Sequence, residues 1–223
     1  MIKRLFALAV VAALACGSAR AEVVSDQTLM VAKAASVVER VRRETTMARD
    51  LENVLARAKA VLIVPDLVKG GFLLGAKYGT GVLLTRDSGG RWSGPAFYSV
   101  AGGSFGLQIG LQDSEVLYVI MSAGGLDAIM NNRFKAGADV GVAVATVGAG
   151  AEASTTTNAG ADIYAFHKAV GIYGGASLAG AGILPRHSWN AAYYGGNPQP
   201  EDILLRRILD SRQADRLRDV LAR

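Results

Sequence analysis

Apolar residues recur at spacings of three, four and seven through Val31, Ala34, Val38, Val41, Ala48, Leu55 and Ala58. That period puts them on one stripe of a helical segment, and Ser25 and Asp26 just ahead are good helix caps. The stripe consists mostly of small residues. The other faces carry Lys33, Arg40, Arg42, Arg43, Arg49 and Arg57 mixed with Glu39, Glu44, Asp50 and Glu52, and Thr45-Thr46 marks a break between two helices. The pattern then changes. Val61-Leu62-Ile63-Val64 is a continuous apolar run ended by Pro65, which reads as a buried strand. From there to about Ile183 short strand candidates alternate with tight turns. They cover 72–76, 81–85, 92–100, 105–111 and 115–121, with Asp87-Ser88-Gly89-Gly90 as a turn. Residues 125–132 read as a helix that faces Leu126, Ile129 and Met130 inward. Val140, Val142 and Val144 alternate with Gly141, Ala143 and Ala145, the period of a strand with one valine face and one very small face. Similar small-residue texture returns at 171–182. Glycine is spread through this region rather than pooled in a linker, which points to bulges, curvature and close packing. The chain ends on a short helix at 188–194, closed by Gly195-Gly196, and a final helix predicted over 201–222.

The first 21 residues stand apart from this pattern. Lys3 and Arg4 precede an uncharged apolar run from Leu5 to Ala15, and Ala19-Arg20-Ala21 then supplies small residues at the two positions a signal peptidase reads. The run is too short for a permanent membrane-crossing helix. Residues 1–21 are therefore expected to be an export signal, cleaved after Ala21, and 22–223 a single domain. Cys16, the one cysteine of the chain, opens an alternative: followed by Gly17-Ser18, it stands where a lipoprotein carries its acylated cysteine, although Ala13 holds the place a lipobox gives to Leu. Cleavage after Ala21 leaves no thiol and no disulfide framework; lipidation at Cys16 leaves a membrane-anchored protein. The expected location is the periplasm or envelope in either case.

The leader also changes the charge argument. The chain has 24 Lys and Arg against 19 Asp and Glu, a net charge of +5, and Lys3, Arg4 and Arg20 belong to the leader, so the remainder carries +2. A strongly basic, nucleic-acid-binding character loses most of its support on that count, and no nucleic-acid partner is expected. A mean hydropathy of +0.26 suggests a membrane protein at first sight. The most apolar later stretch, 136–151, is however rich in glycine and carries Asp139, unlike a spanning helix. A transmembrane β-barrel would need strands of about ten residues throughout, and the helical patterns at both ends oppose it.

Six stretches carry a family signal in order. They are Ala58-Lys59-Ala60-Val61-Leu62-Ile63-Val64-Pro65, Gly71-Phe72-Leu73-Leu74-Gly75-Ala76-Lys77-Tyr78-Gly79, Gly102-Gly103-Ser104-Phe105-Gly106-Leu107-Gln108-Ile109-Gly110, Phe134-Lys135-Ala136-Gly137-Ala138-Asp139, Ala161-Asp162-Ile163-Tyr164 and Ala192-Tyr193-Tyr194-Gly195. Over about 51–196 the chain resembles the SYLF domain family, also called Ysc84-type or DUF500. The resemblance implies an α+β fold: a curved, mainly antiparallel sheet or partial barrel packed with N- and C-terminal helices. It also implies lipid binding as the shared activity, associated with phosphoinositides and actin filaments in eukaryotic relatives and with the cell envelope in bacterial ones. An actin role does not suit an exported protein. The eukaryotic lipid-binding helix is amphipathic; the corresponding segment here, 27–43, has a stripe too small-sided to offer much area to a bilayer.

The chemistry-bearing residues are few. Gly102-Gly103-Ser104-Phe105-Gly106 matches the nucleophile elbow G-x-S-x-G, with His167 or His187 and Asp139 or Asp162 further along. That motif needs a strand, a strained turn and a helix, and Leu107, Ile109 and Leu111 alternate like a strand instead. Two histidines twenty residues apart do not form a metal site, and no cofactor is expected. The reading is a non-catalytic phospholipid-binding protein of the envelope. Lys33, Arg40, Arg42, Arg43 and Lys77 are its candidate headgroup contacts, with Arg206 and Arg207 as a second basic cluster, and Phe72, Leu74, Phe97 and Phe105 are the candidate acyl-chain groove. Two alternatives stand beside it: an envelope interaction protein that holds a protein partner or a second copy through the same surface, and a serine hydrolase using Ser104. Lys77 and Asp139 could equally form a buried structural pair.

Overall fold

A computed structural model describes residues 24–44, 48–72, 74–105, 110–131, 144–147, 162–169 and 181–223. The leader, Cys16, Asp139 and residues 140–143 lie outside them. Ser25 caps the first helix, α1 (Asp26–Arg43), by accepting a hydrogen bond from the Thr28 amide. A second helix, α2 (Ala48–Leu55), leads into β1 (Ala60–Phe72) and β2 (Leu74–Thr85). After the Asp87–Gly90 turn come β3 (Ala96–Phe105), β4 (Gly110–Ile120) and α3 (Ala123–Met130). The remaining strands are β5 (Val144–Val147), β6 (Ile163–Ala169) and β7 (Ala181–Pro185), followed by α4 (His187–Tyr194), α5 (Pro200–Leu204), a 3-10 turn (Arg212–Ala214) and α6 (Asp215–Ala222).

The strands form one sheet in the order β5-β6-β4-β1-β2-β3-β7. Six of them pair antiparallel, and β5 adds parallel to β6. Among the described residues the sheet is not closed, in keeping with the expected curved sheet or partial barrel. Alternation along each strand divides the core in two. Val61, Ile63, Val82, Leu84, Phe97, Leu117 and Phe166 pack under α1, α2 and α6. Leu62, Leu83, Tyr98, Tyr118 and Ile163 pack with α3 and α5 on the other face. The predicted stripe of α1 lies on the sheet, with Val31, Ala34, Val38 and Val41 buried, and Met30, Ala35 and Val37 widen it. Its small residues allow the helix axis to come close to the strands.

Several sequence expectations are corrected. Pro65 does not end β1. The register runs Ile63 with Val82 and then Asp66 with Thr80 on one side, and Val64 with Val116 and then Leu67 with Ser114 on the other. One extra residue is accommodated in β1 at this point, and a proline, which has no amide hydrogen to give, fits a strand interior at such a bulge. The separate candidates at 72–76 and 81–85 belong to one strand, β2, preceded by the end of β1 at Phe72. The candidate at 105–111 is divided between the end of β3 and the start of β4, and Trp92 precedes β3 in an isolated bridge with Arg86.

The final helix is also not continuous. It is interrupted between Leu204 and Arg212, and Arg207 adopts φ 55°. This left-handed conformation costs a non-glycine residue about 1–2 kcal/mol. The Arg207 guanidinium offsets that cost by donating to Asp87 Oδ2 at 2.9 Å, to the Thr85 carbonyl at 2.9 Å and to the Arg91 carbonyl at 3.0 Å. Arg207→Ala keeps the strain and loses the bonds, so it is expected to destabilise the domain by about 2 kcal/mol. Arg207→Gly relieves the strain and should cost about 1 kcal/mol less. Urea unfolding of both variants measures the difference, and equal losses would refute the strain.

Candidate binding surface

The cations of α1 are held by the protein itself. Lys33 Nζ lies 2.8 Å from Asp66 Oδ2 on β1. Arg40 makes a two-pronged contact with Glu115 on β4, at 2.9 and 2.5 Å. Arg42 Nε is 2.8 Å from Glu52 Oε1 on α2, and its Nη1 donates to the Val220 carbonyl. Arg43 pairs with Glu39 one turn earlier at 3.6 Å. In the second basic cluster, Arg206 pairs with Asp202 at 2.8 Å and Arg207 with Asp87. These partners take up much of the charge that an anionic surface would meet. Exposed pairs of this kind contribute about 0–1 kcal/mol each to stability; here they dock α1 across β1 and β4.

The other predicted site residues separate. Lys77 is buried, at 5% exposure, in β2 opposite Gly102. Phe72, Leu74 and Phe105 occupy one ladder row, since Phe72 pairs with Leu74 and Leu74 with Phe105. Phe97 stands far from that row. It pairs with Val82 near the opposite end of β3 and is fully buried, with the rings of Trp189 and Tyr193 edge-on at 5.7 and 5.2 Å. Ser104 is inside the β3 ladder opposite Gly75, residues 106–109 lie outside the described residues, and the next described element is the strand β4, whereas a nucleophile elbow leads into a helix. His187 is exposed at the start of α4.

A surface that the sequence did not single out emerges beyond α1 on the helix-covered face. Val68 and Tyr78 are cross-strand partners, 37% and 53% exposed. Leu184 on β7 is 50% exposed and pairs with Ser99, which pairs in turn with Thr80. Leu29, 49% exposed, lies one turn before Lys33 on the same side of α1. The Tyr78 hydroxyl is drawn below the usual phenol value by hydrogen bonds with Ser99 and Thr80, against a smaller opposing effect of burial, and by the nearby Arg186 charge. Arg186 donates to Thr80 Oγ1 at 2.8 Å and lies over the Trp189 ring, 3.9 Å from its centre. Its charge has no carboxylate partner among the described residues. The result is four exposed apolar side chains bordered by one uncompensated guanidinium. Local signals for it are weak: Tyr78 is a lone aromatic on one face of β2, and Leu184 and Arg186 flank a proline.

Residues 101–223 match the family model described as Ysc84, Las17-binding protein actin regulator. The chain belongs to this family. The match runs past Gly196 to the C-terminus, so the Ysc84 region takes in α5 and α6 as well as the second half of β3 and the elements from β4 to α4. SH3 domain-containing YSC84-like protein 1 of Xenopus laevis is 29% identical over 171 residues, 76% of this chain and 51% of that protein. The Homo sapiens protein of the same name is 28% identical over 170 residues, 76% and 49%. LAS seventeen-binding protein 3 of Saccharomyces cerevisiae is 30% identical over 172 residues, 76% and 37%. The chain thus spans about half or less of the length of these curated relatives. Leu184 and Arg186 of the apolar surface fall within the Ysc84 match; Leu29, Val68 and Tyr78 precede it.

Proposed function

We propose that this Ysc84-family chain is a non-catalytic binding protein of the cell envelope, exported by its leader, and that it contacts anionic phospholipid through the surface formed by Leu29, Val68, Tyr78, Leu184 and Arg186. The observation that carries this reading is the pairing of exposed apolar side chains with a cation that has no carboxylate partner among the described residues. Covering a fully exposed Leu or Val contributes about 1.5–3 kcal/mol, and a basic residue near an anionic leaflet about 1 kcal/mol. A tyrosine, apolar in body and polar at its tip, suits a membrane–water boundary. The internal pairing of Lys33, Arg40, Arg42 and Arg43 supports moving the contact from the α1 cations to this surface. The setting of Ser104 in a strand supports a non-catalytic role. A second reading uses the same surface for a protein partner, favoured by the name of the yeast relative, LAS seventeen-binding protein 3.

Sedimentation with phosphatidylglycerol vesicles at low salt tests the proposal. Tyr78→Asp combined with Leu184→Asp should weaken binding at least tenfold, and binding should fall with added salt. Protein that stays in the supernatant at low salt would remove the lipid reading and leave the protein partner. Binding undiminished in the double variant would place the lipid contact elsewhere.

A further inference from the structure

At the opposite end of the β1–β2 ladder lies a cleft of about 490 Å³ between α3, α5 and the start of β1. Its apolar wall is made by Leu126 and Met130 of α3 and by Leu204 and Leu205 around the end of α5. Leu205 is 55% exposed there. Lys59 and Arg86 supply the polar side, and their backbones are direct neighbours, the Arg86 amide donating to the Lys59 carbonyl at 2.7 Å.

Charge in this cleft is not balanced. Asp87 is occupied by Arg207 and Arg91, while Asp127 accepts from Asn131 Nδ2, a neutral amide. Lys59 is exposed and, among the described residues, its ammonium has no partner. Arg86 spends its hydrogen bonds on backbone carbonyls, those of Leu55, Ala56 and Gly90, and packs by Trp92. Among the described residues no carboxylate neutralises it. The carbonyls at the α2 C-terminus offset part of its charge, which leaves Lys59 as the principal free cation. Lys59, Arg86 and Arg207 outnumber Asp87 and Asp127 in the lining, so charge complementarity selects an anion. The leucine and methionine wall selects an apolar body attached to it. The volume is within the range of small-molecule sites, about 300–1,000 Å³.

We infer that this cleft binds a single-chain amphiphilic anion, a long-chain carboxylate, with its head at Lys59 beside Arg86 and its chain along Leu126, Met130, Leu204 and Leu205. The site is separate from the apolar surface at Tyr78 and does not depend on the vesicle-binding proposal. It takes a monomeric ligand, whereas that surface takes an assembled membrane.

Isothermal titration of the full-length protein with dodecanoate, kept below its micellar concentration, tests the inference. One molecule should bind saturably, and dodecanol and dodecyltrimethylammonium should bind at least tenfold more weakly. Lys59→Glu and Leu205→Glu change exposed side chains, so both should fold with unaltered circular dichroism, and each should weaken dodecanoate binding at least tenfold. Tyr78→Asp should bind it like the parent. No saturable binding, equal affinity for the cationic amphiphile, or binding unchanged in both cleft variants would each overturn the assignment. A loss caused by Tyr78→Asp would transfer the ligand to the other surface.

Discussion

Gly81→Ala is expected to destabilise the domain by about 3 kcal/mol or more. Gly81 lies on β2 across from the bulge at Pro65. A Cβ built there would come within 2.4 Å of the Ile63 carbonyl oxygen, 3.1 Å of the Ile63 carbonyl carbon and 2.9 Å of Val64 Cγ2. The nearest atom is backbone of the central strand, paired on both sides, so it cannot turn away as a side chain would. Either the β1–β2 register opens or β1 moves into the core beneath α1. Gly79, two residues earlier, has the same neighbour: its Cβ would meet Val64 Cγ1 at 2.7 Å and the Asp66 carbonyl at 2.8 Å. Two glycines on β2 thus make room for one extra residue on β1. Gly182→Ala on β7 is the control, because its added carbon would meet only the Ala101 carbonyl oxygen at an ordinary 3.9 Å. That variant should stay within about 0.5 kcal/mol of the parent. Urea denaturation of the three proteins decides the matter, and similar midpoints for Gly81→Ala and the parent would refute the close approach.

This requirement explains what could and could not be read from the chain. Signals that act within a few residues were legible. Ser25 caps α1, Gly90 with φ 81° closes the Asp87–Gly90 turn, and Gly195 and Gly196 with φ 80° and 67° end α4. The family was legible as well, since its short motifs keep their order. The course of β1 through Pro65 was not, because the partner strands that tolerate a bulge come 15 and more residues later. The break in the last helix was hidden for a similar reason. Leu205, Ile208 and Leu209 fit a helical stripe, yet Arg207 is fixed by Thr85, Asp87 and Arg91, some 120 residues earlier, and Leu205 and Ile208 end up 55% and 68% exposed.

The candidate site shows the same division. Sequence located the cations of α1, but not the partners that they find on other elements. Glu115 meets Arg40 across 75 positions, and Asp66 meets Lys33 across 33. A basic helix face in the sequence is therefore, in the folded chain, largely the means by which α1 is fastened to the sheet. The surface at Tyr78 combines residues of α1, β1, β2 and β7, whose proximity follows only from strand order. Phe97 illustrates the limit of residue type as a guide, since an aromatic in a strand can line a groove or fill a core, and only its neighbours distinguish the two.

Those neighbours make Phe97→Ala the second large effect, a loss of about 4 kcal/mol. The ring is fully buried between the sheet and α4, edge-on to both Trp189 and Tyr193, while the Phe97 amide donates to Asn190 Oδ1 at 2.7 Å. Asn190 is itself fully buried on α4, so the helix is joined to β3 by ring packing and by one side-chain hydrogen bond at the same residue. Truncation removes the apolar contacts and leaves a cavity that Trp189, stacked under Arg186, cannot fill without giving up that stack. Phe97→Leu retains most of the volume and should cost about 1.5 kcal/mol. The difference has a local consequence too. Arg186 follows β7 directly and borders the surface at Tyr78, and its amide donates to the Phe97 carbonyl at 2.8 Å. Loosening α4 should therefore raise hydrogen exchange at Arg186 and Trp189 before the β1–β4 amides respond. Uniform exchange across the domain, or a loss below about 1 kcal/mol, would show that α4 is held by other means.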